Sequence, residues 1–194
     1  MLTLIVGLIL FFALHSVAIV APYWRERMVL LVGDPMWKGV YGLLSGVGFV
    51  LLVVGYAHTR RAPVVLYVPP GWLRYFSLLL MLPVFPLLLA AYLPGAIQRR
   101  TKHPMLAAVK FWATAHLLAI GTLADVLLFG SFLLWAIIDR ISLKHRVKAS
   151  PPPRAAPSRY NDLIAVLIGL ALYVLFLFRL HAMLIGVAPL APPF

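Results

Sequence analysis

The sequence predicts an all-α fold, a polytopic transmembrane bundle of about six helices, and three observations predict it. The chain is 63% hydrophobic and 11% charged, with a mean hydropathy of +1.00, far more apolar than filling a soluble core requires. Its apolar residues gather into six stretches, near 2–22, 37–57, 72–93, 104–122, 124–141 and 162–186, each close to the ~17–25 residues that span ~30 Å of hydrocarbon. Its basic residues fall mostly between those stretches rather than within them.

The first stretch lacks the basic leader of a secretory signal, is too long for a signal core, and ends at Pro22 before Trp24, Arg25 and Arg27. It reads as a retained helix. The second carries Gly42, Gly46 and Gly48, small residues that suit either a dimer seam or packing within the chain, so oligomeric state stays open. In the third, Pro83 and Pro86 should kink the helix. The fourth and fifth are separated only by Gly121-Thr122-Leu123-Ala124-Asp125, weak turn chemistry that leaves a single long or re-entrant segment as the alternative. A connection at 141–161, with Pro151-Pro152-Pro153 and Pro157, forms a basic, proline-rich strip before the sixth. The whole chain, 1–194, is expected to form a single transmembrane domain.

Charge sets the expected orientation, because Lys and Arg accumulate in cytoplasmic loops. One set of alternate loops holds Arg25, Arg27, Lys38, Arg99, Arg100, Lys102, Arg140, Lys144, Arg146, Lys148, Arg154 and Arg159, against Arg60, Arg61 and Arg74 on the other. Twelve against three places both termini in the periplasm of a bacterial inner (cytoplasmic) membrane and the strip along the anionic inner leaflet. The net charge of +12 is dispersed between apolar runs, which argues for lipid rather than nucleic acid as its partner. With no cysteine, disulfides, Cys-ligated zinc, iron–sulfur clusters and covalent c-type haem are excluded.

An ionisable side chain at depth costs ~2.5–3.5 kcal/mol on insertion scales for the charged types, so the few such residues in the apolar stretches are the candidates for chemistry. They are His15, Lys110, His116, Asp125, Asp139, Arg179 and His181, with His58, His103 and His145 nearer the stretch ends or in the strip. His15 and His116 each sit well inside a stretch, among Ala13, Ala18, Ala113, Ala115 and Ala119. Two neutral imidazoles across a bundle can ligate one haem iron, and small neighbours leave room for a macrocycle; the competing reading is that each donates to a backbone carbonyl or water in a neighbouring helix. Arg99-Arg100-Thr101-Lys102-His103-Pro104 places cations beside a proline-initiated helix and suits a haem propionate or a phosphate, or serves as topological charge alone. Lys110, about 9 Å further along by helix rise, can snorkel to the same interface or pair with Asp139. Arg179 and His181, near the outer end of the sixth stretch, most simply snorkel towards that surface. No H-E-x-x-H, glycine-rich phosphate loop or G-x-S-x-G is present, which argues against zinc proteolysis, nucleotide-driven transport and serine hydrolysis.

Leu14-His15-Ser16, His103-Pro104 followed by Trp112 and Ala115-His116, and Trp135 before Asp139-Arg140 together resemble the NnrU family, whose relatives include the plant 15-cis-zeta-carotene isomerase. The resemblance implies haem b, with His15 and His116 at the axial-ligand positions and His103 matching the family's His-Pro histidine. It also implies a link to nitrite and nitric oxide reduction, or haem-dependent isomerisation of a poly-cis carotene. Where the isomerase has Trp-Cys, this chain has Trp112-Ala113, so no thiol can take part in ligand switching. Two classes stay open: a haem-dependent enzyme acting on an apolar or gaseous substrate, and a non-catalytic haem carrier or assembly partner for nitrogen-oxide reductases. A third likeness, to membrane methyltransferases through His-Pro, lacks their paired glutamates, since no Glu follows Glu26.

Overall fold

The structure is a computed structural model in which residues 1–145 and 155–190 are described; Arg146, Lys148, Pro151-Pro152-Pro153 and Arg154 of the basic strip lie outside them. Helices make up 78% of the chain and no strand is present among the described residues, so the all-α expectation holds. The helices are α1 (Leu2–Val20), α2 (Pro22–Val32), α3 (Asp34–Thr59), α4 (Gly71–Ala90), α5 (Ala96–Thr101), α6 (Pro104–Ala119), α7 (Leu123–Ser142) and α8 (Asn161–Ile185). Each of the six apolar stretches contains one helix; the count is nevertheless eight rather than six. The two additional helices, α2 and α5, are short and fill connections expected to be loops. Pro22 at N1 restarts the helix after Ala21, and Gly33 at φ 84° stops it, a backbone region open to glycine. The start of α5 forms because a carboxylate takes its first amides: Asp162 accepts from Ala96 N–H at 2.6 Å and Ile97 N–H at 3.0 Å, and Gly95 gives that carboxylate space no Cβ could share.

Four helices, α1, α3, α4 and α8, are long and apolar enough to cross a membrane. The 16 residues of α6 rise only about 24 Å, and α7 carries Asp125, Asp139 and Arg140. The α6–α7 turn is a true break. Tyr67 hydroxyl donates to the carbonyls of Leu117 and Ile120, consuming acceptors at the end of α6, while Ile120 is extended. Thr122 then opens α7 through a reciprocal cap: its N–H donates to Asp125 at 3.0 Å and its hydroxyl accepts from Asp125 N–H at 3.3 Å.

The residues form two compact units, 1–66 with 122–131, and 67–121 with 132–194. In the first, α1 and α3 run antiparallel at glycine-limited distance. Gly55 abuts the backbone of Leu4, a Cβ on Gly7 would lie 2.7 Å from Leu52 N, and one on Gly48 would lie 3.1 Å from Phe11 N. Gly48 therefore serves packing within the chain, whereas Gly42 and Gly46 have nothing within 4 Å of an added Cβ. The buried apolar side chains here are Leu4, Leu8, Leu52, Ala124, Leu128 and Phe129.

The second unit centres on Val84, Leu87 and Ala108, with Met81, Leu88, Ile97, Ala107 and Trp112 packed around them. The expected proline kink is present, for regular α-helix stops at Met81 and resumes at Val84. Leu82 N–H bonds Leu79 rather than Leu78, and Tyr173 hydroxyl of α8 donates to the Leu78 carbonyl at 3.0 Å, so the break leaves that acceptor satisfied. Gly169 lets α8 reach the backbone of Pro86, where a Cβ would meet its nitrogen at 2.5 Å.

Candidate functional site: intramembrane histidines and a basic turn

His15 lies in the first unit; His103, His116, Lys102, Arg99, Arg100 and Lys110 lie in the second. On α1, the His15 Nδ1 is 2.7 Å from the carbonyl of Phe11, one turn back. The ring stacks on Phe11 at 3.9 Å between centres and stands 5.6 Å from Tyr41. His116 repeats the arrangement on α6: Nδ1 is 2.8 Å from the carbonyl of Trp112, and the Trp112 ring is 5.3 Å away. Trp112 is in turn held edge-on by Phe132.

These contacts set the chemistry of each imidazole. A carbonyl only accepts, so Nδ1 carries the proton and the ring's lone pair resides on Nε2. That tautomer, oriented by a backbone carbonyl, is the form in which histidine binds a transition metal. Each imidazole, taken by itself, is thus in the form that can donate to a metal. Among the described residues no three His, Asp or Glu side chains gather into a metal-holding group; a porphyrin supplies four nitrogens itself and asks the protein only for axial ligands.

A third histidine, given less weight by the sequence, comes to the same place. His181 on α8 has its ring 6.5 Å from that of His116 with planes 23° apart, and its Nδ1 is 2.6 Å from the carbonyl of Val187. Its position near a helix end suggests snorkelling, whereas the structure sets it beside a second histidine. The signal that could have found it is the pairing of two polar residues, Arg179 and His181, in a long apolar run with no acid beside them.

The basic cluster sits where α5 meets α6. Arg99 and Arg100 close α5 and are exposed, as is Lys102; His103 is the N-cap of α6 and Pro104 its first residue. Lys102 has φ 64° and ψ −44°, and His103 N–H donates to the Thr101 carbonyl at 2.7 Å. This is the γ-turn of positive φ, rare and strained for a residue with a side chain. Lys102→Gly should therefore stabilise the protein by about 1 kcal/mol, the strain relieved exceeding the added chain entropy, whereas Lys102→Ala should gain nothing. Denaturant unfolding of the solubilised variants checks this. By helix rise His116 stands roughly 18 Å along α6 from Pro104 and about 9 Å from Lys110, so half-buried Lys110 is the cation nearest His116 along that helix.

A second polar centre belongs to the first unit. Asp125 is 1% exposed; one carboxylate oxygen accepts from Tyr56 hydroxyl at 2.5 Å, and the other takes Thr122 N–H and its hydroxyl. With its oxygens engaged by the cap and the tyrosine, this carboxylate reads as a structural tie.

Four helices long and apolar enough to cross a membrane define an integral membrane protein of the helical-bundle class. Residues 3–189 match the family model described as NnrU protein, and the chain belongs to the NnrU family. No curated protein and no solved structure matches it.

Proposed function

We propose that this is a haem b-binding protein of the bacterial inner membrane, linked to nitrite and nitric oxide reduction, with His116 and His15 as the iron-ligating candidates. The observation that carries the reading is the shared bond from Nδ1 to the carbonyl one turn back at both histidines, because it presents Nε2 in the ligating form inside apolar helices. Family membership supports it, since the resemblance assigns the axial positions to these same two residues. Bound haem would supply one-electron and ligand-binding chemistry. The chain's own residues orient the imidazoles and exclude water, and Lys110, or Arg99, Arg100, Lys102 and His103 at the helix start, offer partners for propionates. The strip and the basic turn face the cytoplasmic leaflet, with both termini periplasmic.

Protein purified in mild detergent is expected to show a Soret band, as isolated or after reconstitution with haemin. His116→Ala should remove most of it. His15→Ala reports separately on the ligand that the resemblance assigns to the first helix. Absence of a Soret band, or spectra unchanged in both variants, overturns the reading. Carbon monoxide or nitric oxide binding to the reduced protein favours an enzyme acting on an apolar or gaseous substrate; an inert, permanently six-coordinate iron favours a haem carrier or assembly partner.

A further inference from the structure

We infer that the cleft between the start of α5 and the start of α8 holds the phosphate group of an anionic phospholipid, gripped by Arg99 and Arg159. The inference stands apart from the proposed haem binding. It assigns Arg99 to lipid and leaves Lys110, Arg100, Lys102 and His103 for propionates.

The cleft is a polar hollow of about 390 Å³ whose lining includes Gly95, Arg99, Ser158, Arg159 and Asp162, all in the second unit. Its two walls are tied to each other. Buried Asn161 donates from its side-chain amide to the carbonyls of Pro94 at 2.9 Å and Ala156 at 3.0 Å, and Ala155 N–H donates to the Tyr92 carbonyl at 2.9 Å. The hollow is therefore formed in advance, and a ligand entering it does not have to order its walls.

Charge in the cleft favours an anion. Its one carboxylate, Asp162, gives one oxygen to Ala96 N–H and the other to Ile97 N–H. Among the described residues neither Arg99 nor Arg159 forms an ion pair with it or with any other acid. Arg159 is oriented by Tyr160: one guanidinium nitrogen donates to the hydroxyl at 2.5 Å, and the group lies 4.7 Å from the ring centre. Most of the five N–H donors of that guanidinium stay open to a ligand. Arg99 comes from one wall and Arg159 from the other, and planar guanidinium forks match the oxygens of a phosphate.

Position selects a lipid as the source of that phosphate. The membrane-length helix α4 ends at Ala90, and α8, also membrane-length, begins at Asn161, so the cleft lies at the ends of two spans, where headgroups reside. Tyr92 and Tyr160, next to the two walls in the chain, are exposed, as tyrosines are at a membrane–water interface. Along α8 from the cleft, Leu163 and Leu167 are exposed and offer acyl chains an apolar face while the headgroup stays with the arginines. Basic pockets between helices on the cytoplasmic side hold anionic headgroups in this way, and the proposed orientation turns the cleft to that leaflet.

The test is a titration of the full chain, purified in mild detergent, delipidated and without added haem, with bound lipid counted by native mass spectrometry. Dioctanoyl phosphatidylglycerol is expected to bind saturably and about tenfold more tightly than dioctanoyl phosphatidylcholine, whose choline cancels the charge. Arg99→Gln and Arg159→Gln should each weaken phosphatidylglycerol about tenfold. Arg27→Gln, which removes an exposed arginine of the first unit, should stay within about twofold of wild type. Both cleft arginines are exposed, so their variants should keep the helical circular dichroism of the wild type. Equal binding of the two lipids, undiminished phosphatidylglycerol affinity in both cleft variants, or an equal loss in Arg27→Gln overturns the site and leaves the arginines as topological charge. Inorganic phosphate that displaces phosphatidylglycerol and binds as tightly by itself, with the same dependence on both arginines, overturns the lipid assignment in favour of a free anion. Because no haem is present, none of these outcomes bears on the Soret experiment.

Discussion

Asp125→Ala will destabilise the solubilised protein by about 2–4 kcal/mol, because it removes the acceptor of two or more hydrogen-bond donors at once. The carboxylate is 1% exposed and joins α3 to the first turn of α7 through Tyr56 hydroxyl and the Thr122 cap. Its loss strands the phenol and the Thr122 amide where water does not compete, and each unsatisfied group costs about 1–3 kcal/mol. Asp125→Asn keeps the size and one acceptor and should cost roughly half as much. Tyr56→Phe should cost about 1–3 kcal/mol, and the pair should be non-additive because both act on one network. Unfolding by increasing SDS mole fraction reads these differences; a shift below about 0.5 kcal/mol for Asp125→Ala would show that the tie contributes nothing.

Gly55→Leu will prevent the α1–α3 pair from closing, and little folded protein should accumulate. The helices meet at Gly55 against the Leu4 backbone and at Gly7 against Leu52. A side chain there must push backbone rather than a flexible side chain, and separation exposes the contacts of Leu4, Leu8 and Leu52. In lipid such close packing is itself the main attraction between helices. Gly55→Ala, the milder overpacking, should cost about 1–3 kcal/mol. Gly42→Ala, with nothing within 4 Å of the added carbon, should stay within about 0.5 kcal/mol of wild type and serves as the control on the same helix. Comparable loss at Gly42 would show that substitution anywhere on α3 is harmful and that the close approach is not the cause.

The sequence by itself determined the fold class, the position of six of the eight helices and the kink at Pro83, because apolar runs and proline act locally and need no partner to be read. It also singled out His15, His116 and the Arg99–His103 turn, since a polar residue is conspicuous against an apolar background. It missed α2 and α5 because both are held by features outside apolar periodicity: proline and glycine at the ends of one, and a carboxylate 66 residues away on the other.

Only the tertiary structure decided that Gly48 packs within the chain while Gly42 and Gly46 do not, since identical residues differ there only in what stands opposite. The same holds for Asp125, one of the sequence's candidates for chemistry, which is buried against Tyr56, 69 positions earlier, as a structural tie. His181 was legible as a histidine near a helix end, but its approach to His116 depends on a π-turn at Phe176–Leu180 that no local sequence signal announces and on α8 reaching α4 at Gly169. Composition and spacing record what each segment prefers alone; which polar groups meet is fixed by where the backbones can approach, and that is a property of pairs of helices.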